Sequence, residues 1–243
     1  TRFRNVTGVQ TCALPILACY STSTGGTADR VVLALEMTTS DNIADVRHRI
    51  RAAAEANGRR PVDITLVAVS KMHPAERVRE AINADQRHFG ENRVQEAEAK
   101  FSALRAEHPD LVLHLLGPLQ TNKVRQAVAL FDVIETLDRP KLAHALADEF
   151  RHSGRRPRCL IEVNIGDEAQ KAGIAIRDLP DFVLLCRQLD LPIDGLMCIP
   201  PQGEQPAPFF GLLIKLADRY QLPIRSMGDR KSTRLNSSHV SES

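Results

Sequence analysis

Ile64-Thr-Leu-Val-Ala-Val-Ser-Lys71, followed by Met-His-Pro74 and then Ala75-Glu-Arg-Val-Arg-Glu-Ala-Ile82, decides how the fold is read. The β-branched run Ile64–Val69 is too short for a helix and is bounded by polar residues, so it reads as a buried strand. Pro74 opens a helix at its first turn, where a missing N–H costs nothing. Val78, Ala81 and Ile82 then recur on one face. His88-Phe-Gly90 follows as a second short strand. Strand, polar turn, helix and strand in this order form a parallel crossover unit.

The same unit repeats on both sides of this stretch. Upstream, Ile43, Val46, Ile50 and Ala53 mark an amphipathic helix with Asp41 as its cap and Gly58 as its stop. Downstream, the helix of Val94, Ala97, Phe101 and Leu104 leads to a strand over Leu111–Leu116 and a helix over Val124–Leu130. Strands at Val133–Leu137, Cys159–Ile165, Ile193–Ile199 and Ile224–Met227 continue the series. Helices marked by Leu142, Leu146 and Phe150, by Phe182–Leu189, and by Phe209, Leu212, Leu213 and Leu216 separate them. An open doubly wound sheet and a closed barrel both satisfy this alternation. The short units and uniform order favour a (β/α)8 TIM barrel, an α/β fold truncated before strand eight. Without that strand the first and seventh strands are expected to stay unpaired.

Of the 243 residues, 32 are Lys or Arg and 30 are Asp or Glu, a net charge of only +2. A nucleic-acid partner is therefore not expected, because neutralising many phosphates needs a concentrated basic surface. No apolar run approaches the length of a membrane span. The 5 cysteines contain no C-x-x-C pair, and the 8 histidines show no metal-ligand spacing. A reducing, cytoplasmic setting and no metal follow as expectations. The ends read differently from the middle. Residues 1–40 combine Arg2, Arg4 and the apolar run Cys12–Tyr20, a pattern like a leader but also like translated sequencing adapter. Residues 229–243 are Ser-rich and lack apolar periodicity. Both are read as non-native or disordered extensions around a single domain over 41–228.

In a parallel barrel, functional groups lie at the C-terminal ends of the strands. Lys71 directly follows a buried strand, where partial desolvation frees an amine for Schiff-base chemistry. The bland alternative is a lysine that snorkels to water. Ser226-Met-Gly228 stands where barrels cradle phosphate, though it also suits a plain turn. Asn92 could bond a ligand ring or cap the next helix. Met197 ends the sixth strand, and His114 lies within an apolar strand as a satisfied core residue would. Lys123 and Lys171 read as a solvated first-turn residue and an exposed loop cation.

These pieces occur in a fixed order: Val69-Ser-Lys71, Phe89-Gly-Glu-Asn92 with Val94-Gln-Glu96, and His114-Leu-Leu-Gly-Pro-Leu-Gln-Thr-Asn-Lys123. Val163-Asn164, Gln170-Lys-Ala-Gly173, Gly195-Leu-Met197 and Ser226-Met-Gly228 follow. Over about Asp41 to Gly228 the chain resembles the pyridoxal-phosphate homeostasis protein family. The resemblance implies an alanine-racemase-type barrel that binds pyridoxal 5′-phosphate and serves vitamin B6 homeostasis, without catalytic turnover. It implies Lys71 as the Schiff-base lysine, Asn92 beside the cofactor ring, and Ser226 and Gly228 in the phosphate cradle. Met197 and His114 complete the expected cofactor-binding set. A monomer is expected.

The alternative is a pyridoxal-phosphate-dependent amino-acid racemase. That chemistry needs a second acid/base on the opposite cofactor face, a tyrosine in enzymes of this fold. The chain has Tyr20 and Tyr220, and neither reads as a barrel-mouth residue. From Asp229 onward the chain also departs from the family pattern, which continues to an eighth strand and further phosphate donors. Weak cofactor retention by this chain is the resulting expectation.

Overall fold

The computed structural model describes residues 8–12, 38–168 and 170–228. Its elements alternate along the chain: β1 (Gly8–Cys12), α1 (Thr39–Ala56), β2 (Ile64–Val69), α2 (Ala75–Asn83), β3 (His88–Glu91) and α3 (Val94–Glu107). Then come β4 (Val112–Leu115), α4 (Val124–Leu130), β5 (Val133–Leu137), α5 (Pro140–Ser153), β6 (Arg158–Asn164) and β7 (Ile174–Ala175). The series ends with α6 (Leu179–Gln188), β8 (Ile193–Cys198), α7 (Pro206–Arg219) and β9 (Ile224–Met227). All pairings are parallel, and the ring closes in the order β1-β2-β3-β4-β5-β6-β8-β9 and back to β1. The two-residue β7 pairs with the end of β6.

Among the described residues the last strand in chain order is β9. The gap between β9 and β2 is nevertheless filled. Gly8–Cys12 pairs with Ile64–Ala68 on one side, and Gly8–Gln10 with Arg225–Met227 on the other. Two strand edges that would otherwise expose unpaired N–H and C=O groups thus acquire a partner. The segment carrying β1 was read from the sequence as an extension, and five residues of it are a barrel strand here. The remaining readings on the extensions, over 1–7, 13–37 and 229–243, lie outside the described residues, as does Tyr20.

The other element boundaries follow local chemistry. α1 begins at Thr39 because Thr38, not Asp41, is its cap: Asp41 N–H donates to Thr38 Oγ1, and Thr38 N–H donates to the Asp41 carboxylate. Pro74 sits just before α2 rather than inside its first turn, and no side chain caps that end. β2, α4, β5 and β9 span the residues expected from the sequence.

Alternation along the strands divides the protein into two layers. Ala68, Phe89, Leu113, Leu115, Ile134, Ile161 and Leu196 point outward into the main core beneath the helices. There Phe89 and Phe101 meet with ring centroids 5.6 Å apart. The barrel interior holds a smaller apolar cluster of Val133, Leu160 and Met197. Polar side chains stand beside it, among them His114, Glu135, Glu162 and Ser226. That division places the chemistry inside the ring.

Candidate functional site at the barrel interior and mouth

β2 carries Thr65, Val67 and Val69 toward the interior, and the same alternation brings Lys71 to the mouth. Lys71 is half-buried, and among the described residues its ammonium has no hydrogen-bond or ion-pair partner. Asn92 lies at the equivalent place beyond β3, since Val69 is paired with Gly90. The residue capping α3 is Arg93, so the helix-cap use of Asn92 is not realised. Gly117 brings its Cα against Asn92: a Cβ there would stand 2.2 Å from the Asn92 carbonyl oxygen. Asn92 is thus held by backbone contact, and among the described residues its side chain makes no hydrogen bond.

Below the mouth, a buried hydrogen-bonded column crosses the interior. Ser226 Oγ donates to Glu135 Oε2 at 2.5 Å, and His114 Nδ1 lies 2.6 Å from Glu135 Oε1. His114 Nε2 lies 3.0 Å from His88 Nδ1. With the carboxylate accepting, His114 carries its proton on Nδ1; a neutral His114 then accepts at Nε2 from His88 Nδ1–H. His114 is therefore occupied on both ring nitrogens. Burial, and next the neighbouring His114, push His88 down to about 4. Met197 stands beside Ser226 in the strand register and packs with Val133 and Leu160.

Glu162 also points inward, next to Met197 on the paired strand. Burial first, then the charges of Asp138 and Glu135, raise its carboxyl to about 7. At the far, N-terminal end of the barrel a cavity of about 360 Å³ opens, lined by His88, His114, Glu135, Arg158 and Thr65. It lies opposite the mouth that carries Lys71, so this cavity and the Lys71 amine are at different ends.

The two residues expected to cradle phosphate are engaged within the protein. Ser226 is fully buried and bound to Glu135, and the Gly228 N–H donates to the Cys198 carbonyl at 3.0 Å. Lys171 is not an exposed loop cation: it pairs with Glu168 and donates to the Pro200 carbonyl at 3.2 Å. Asn164 closes its own loop, donating to the Glu168 carbonyl at 2.8 Å and accepting from Glu168 N–H.

Behind the mouth lies a second network. Ser70 Oγ donates to Glu91 Oε1 at 2.6 Å, and Lys100 Nζ donates to the same oxygen and to the Ser70 carbonyl, both at 2.7 Å. Glu96 accepts from Lys100 at 3.3 Å and from Met72 N–H at 2.5 Å. The sequence reading passed over Lys100, Glu135 and Glu162. Glu135 and Glu162 had one signal: a lone carboxylate inside an apolar strand needs a special environment.

Residues 42–218 match the family described as alanine racemase, N-terminal domain. The chain is 44% identical over 175 residues to the pyridoxal phosphate homeostasis protein of Pseudomonas aeruginosa, covering 70% of this chain and 74% of that one. Its fold is similar to PipY of Synechococcus elongatus solved without PLP, with TM-score 0.67 and 34% identity over 78% of this chain and 98% of that one. PipY with PLP bound gives TM-score 0.63 and 32% identity over the same shares. Alanine racemase from Bacillus anthracis shares the fold at TM-score 0.55 and 12% identity, over 78% of this chain and 55% of that one.

Proposed function

The chain belongs to the alanine racemase N-terminal domain family and, within it, to the pyridoxal phosphate homeostasis proteins; from that premise we propose that it binds pyridoxal 5′-phosphate through Lys71 and acts in cellular vitamin B6 balance without turning over a substrate. The observation that carries this reading is the Lys71 ammonium, half-buried at the barrel mouth and without a partner among the described residues. An amine so placed is available to hold an aldehyde as a Schiff base, with loss of water. The bound cofactor would supply an electron-withdrawing ring and an anionic phosphate. Asn92, beside Lys71, offers a free amide to the ring.

The fit is closest at the aldehyde end. At the anion end, Ser226 Oγ must turn from Glu135 before it can serve a phosphate. That exchange opposes binding, because it leaves a buried carboxylate with one donor fewer. The non-catalytic part of the proposal rests on the positions of acids and bases. Tyr220 follows α7 with Arg219 over its ring at 5.9 Å, away from the mouth, and both nitrogens of His114 are engaged. A cytoplasmic setting belongs to the same proposal, in keeping with the three unpaired, buried cysteines Cys159, Cys186 and Cys198. No described helix is long and apolar enough to cross a membrane.

Incubation with pyridoxal phosphate, hydride reduction and peptide mass mapping test the reading. The pyridoxyl mass is expected on Lys71 and absent from Lys71→Ala. Labelling confined to other lysines would overturn it. Wash-out of the α-deuterium from a labelled amino acid, lost in Lys71→Ala, would instead favour a racemase.

A further inference from the structure

Lys71 sits between two backbone groups that the same helix holds. On one side the Ser70 carbonyl accepts from Lys100 Nζ at 2.7 Å, and on the other Met72 N–H donates to Glu96 Oε1 at 2.5 Å. Lys100 and Glu96 are one turn apart on α3 and bond to each other at 3.3 Å. We infer that Lys100 and Glu96 are positioning residues: they clamp the backbone on both sides of Lys71 and thereby set where its amine stands at the barrel mouth. This rests on the proposed role of Lys71 as the amine that holds the cofactor.

Three observations support a positional role over a merely stabilising one. Lys100 and Glu91 form an ion pair with side chains only 7% and 0% exposed. Such pairs recover little more than their desolvation cost, and apolar residues of similar volume commonly serve stability as well or better. Among the described residues Glu91 Oε2 in addition has no hydrogen-bond partner, a further cost the fold carries at this point. Third, the turn from Ser70 to His73, closed by His73 N–H on the Ser70 carbonyl at 3.1 Å, puts Met72 at φ 63°. That left-handed region suits Gly or Asn and strains methionine. The strained conformation is the one that points Met72 N–H at Glu96. Without the clamp, the turn would relax toward negative φ and carry the neighbouring Lys71 with it.

The test reads the Lys71 amine with two probes on the full chain: reductive methylation by formaldehyde and hydride, and trapping of pyridoxal phosphate by hydride. Glu96→Ala removes the acceptor for Met72 N–H. The double variant Lys100→Met, Glu91→Gln removes the donor to Ser70 without stranding a buried charge. Each is expected to accelerate hydrogen exchange at the Met72 amide and to lower pyridoxal phosphate trapping at Lys71, relative to exposed lysines, by roughly tenfold. Methylation of Lys71 should shift in the same variants, and Glu96→Gln, which keeps an oxygen acceptor, should restore most of each signal. Unchanged methylation of Lys71 and unchanged Met72 exchange in both variants would overturn the inference even if the parent captures the cofactor. Shifted methylation in a parent that never carries pyridoxyl on Lys71 would uphold the clamp and refute the cofactor reading instead.

Discussion

Ser226 on β9 and Glu135 on β5 are 91 positions apart in the chain and joined across the barrel interior by a 2.5 Å hydrogen bond from hydroxyl to carboxylate. The bond ties the expected phosphate end of the site to His114 and, through it, to His88. Glu135 and Ser226 are both fully buried. Any anion that enlists the Ser226 hydroxyl must compete with an internal carboxylate.

Ser226→Ala is therefore expected to destabilise the protein by about 1–3 kcal/mol, because it leaves a buried carboxylate oxygen short of a donor. Ser102→Ala is the comparison: its hydroxyl bonds only the Glu98 carbonyl one turn back on an exposed helix face, and the change should stay within about 0.5 kcal/mol. Urea midpoints of the two variants measure the difference. Equal midpoints would mean that the cross-barrel bond contributes nothing.

The pH dependence of stability should contain two opposing contributions. His88, held down at about 4 by burial and then by His114, takes up a proton in the unfolded chain near 6.5 but not in the fold. Its contribution is complete above pH 6.5 and is lost as pH falls toward 4, by up to about 3 kcal/mol. Glu162, raised to about 7 by burial and then by Asp138 and Glu135, holds a proton in the fold that the unfolded chain has released. Its contribution is complete below pH 4.5 and is lost as pH rises through 7; Glu91, raised chiefly by burial, acts in the same sense. Between pH 4.5 and 6.5 the His88 and Glu162 slopes cancel. Glu162→Gln should expose the His88 slope, with stability falling on acidification, and His88→Asn should expose the Glu162 slope, with stability falling as pH rises. Chemical denaturation at a series of pH values reads both, and two parallel profiles would count against the assignment.

Much of this was visible in the residues before the fold was known, and the exceptions have a common cause. Ile64–Val69 declares itself as a strand because burial on both faces makes it almost continuously apolar, and Ile224–Met227 because it is the next short segment after a helix in a regular alternation. Lys71 and Asn92 stand out because they follow such runs. Gly8–Cys12 has no such signature; what makes it a strand is the pair of open edges on β2 and β9, information that lies elsewhere in the chain. Glu135, Glu162 and Lys100 escaped notice for the same reason. A carboxylate in Val133–Leu137 or a lysine on α3 acquires meaning only from what lies across the barrel or beneath the helix. Local pattern locates the strand ends, and long-range pairing supplies the partners.

Met72 is 89% exposed, and exposure alone would make its replacement harmless. Its φ of 63° says otherwise. Met72→Val should cost about 1–2 kcal/mol, since a β-branched residue fits the left-handed region poorly. Met72→Asn, better suited to that region, should be neutral or mildly stabilising. Thermal melts of the two variants provide the comparison, and equal melting temperatures would refute the strain argument.

Two glycine-to-alanine changes should have opposite signs. Gly211 lies within α7 with no atom close to where a Cβ would stand, so alanine there should stabilise by about 0.5–1 kcal/mol through helix propensity. At Gly117 the added carbon would meet the Asn92 carbonyl oxygen at 2.2 Å and the Asn92 Cα at 2.7 Å. Both are backbone atoms, and the neighbouring Leu116 N–H is bonded to the Glu91 carbonyl at 2.8 Å, so the contact cannot be relieved by turning a side chain. Gly117→Ala is expected to cost about 1–3 kcal/mol and to push Asn92 away from Lys71. Its signature is the combination: a lower melting temperature together with weaker pyridoxal phosphate capture at temperatures where the variant is still folded. A Gly117→Ala protein that melts lower but captures the cofactor as the parent does would place Asn92 outside the binding site.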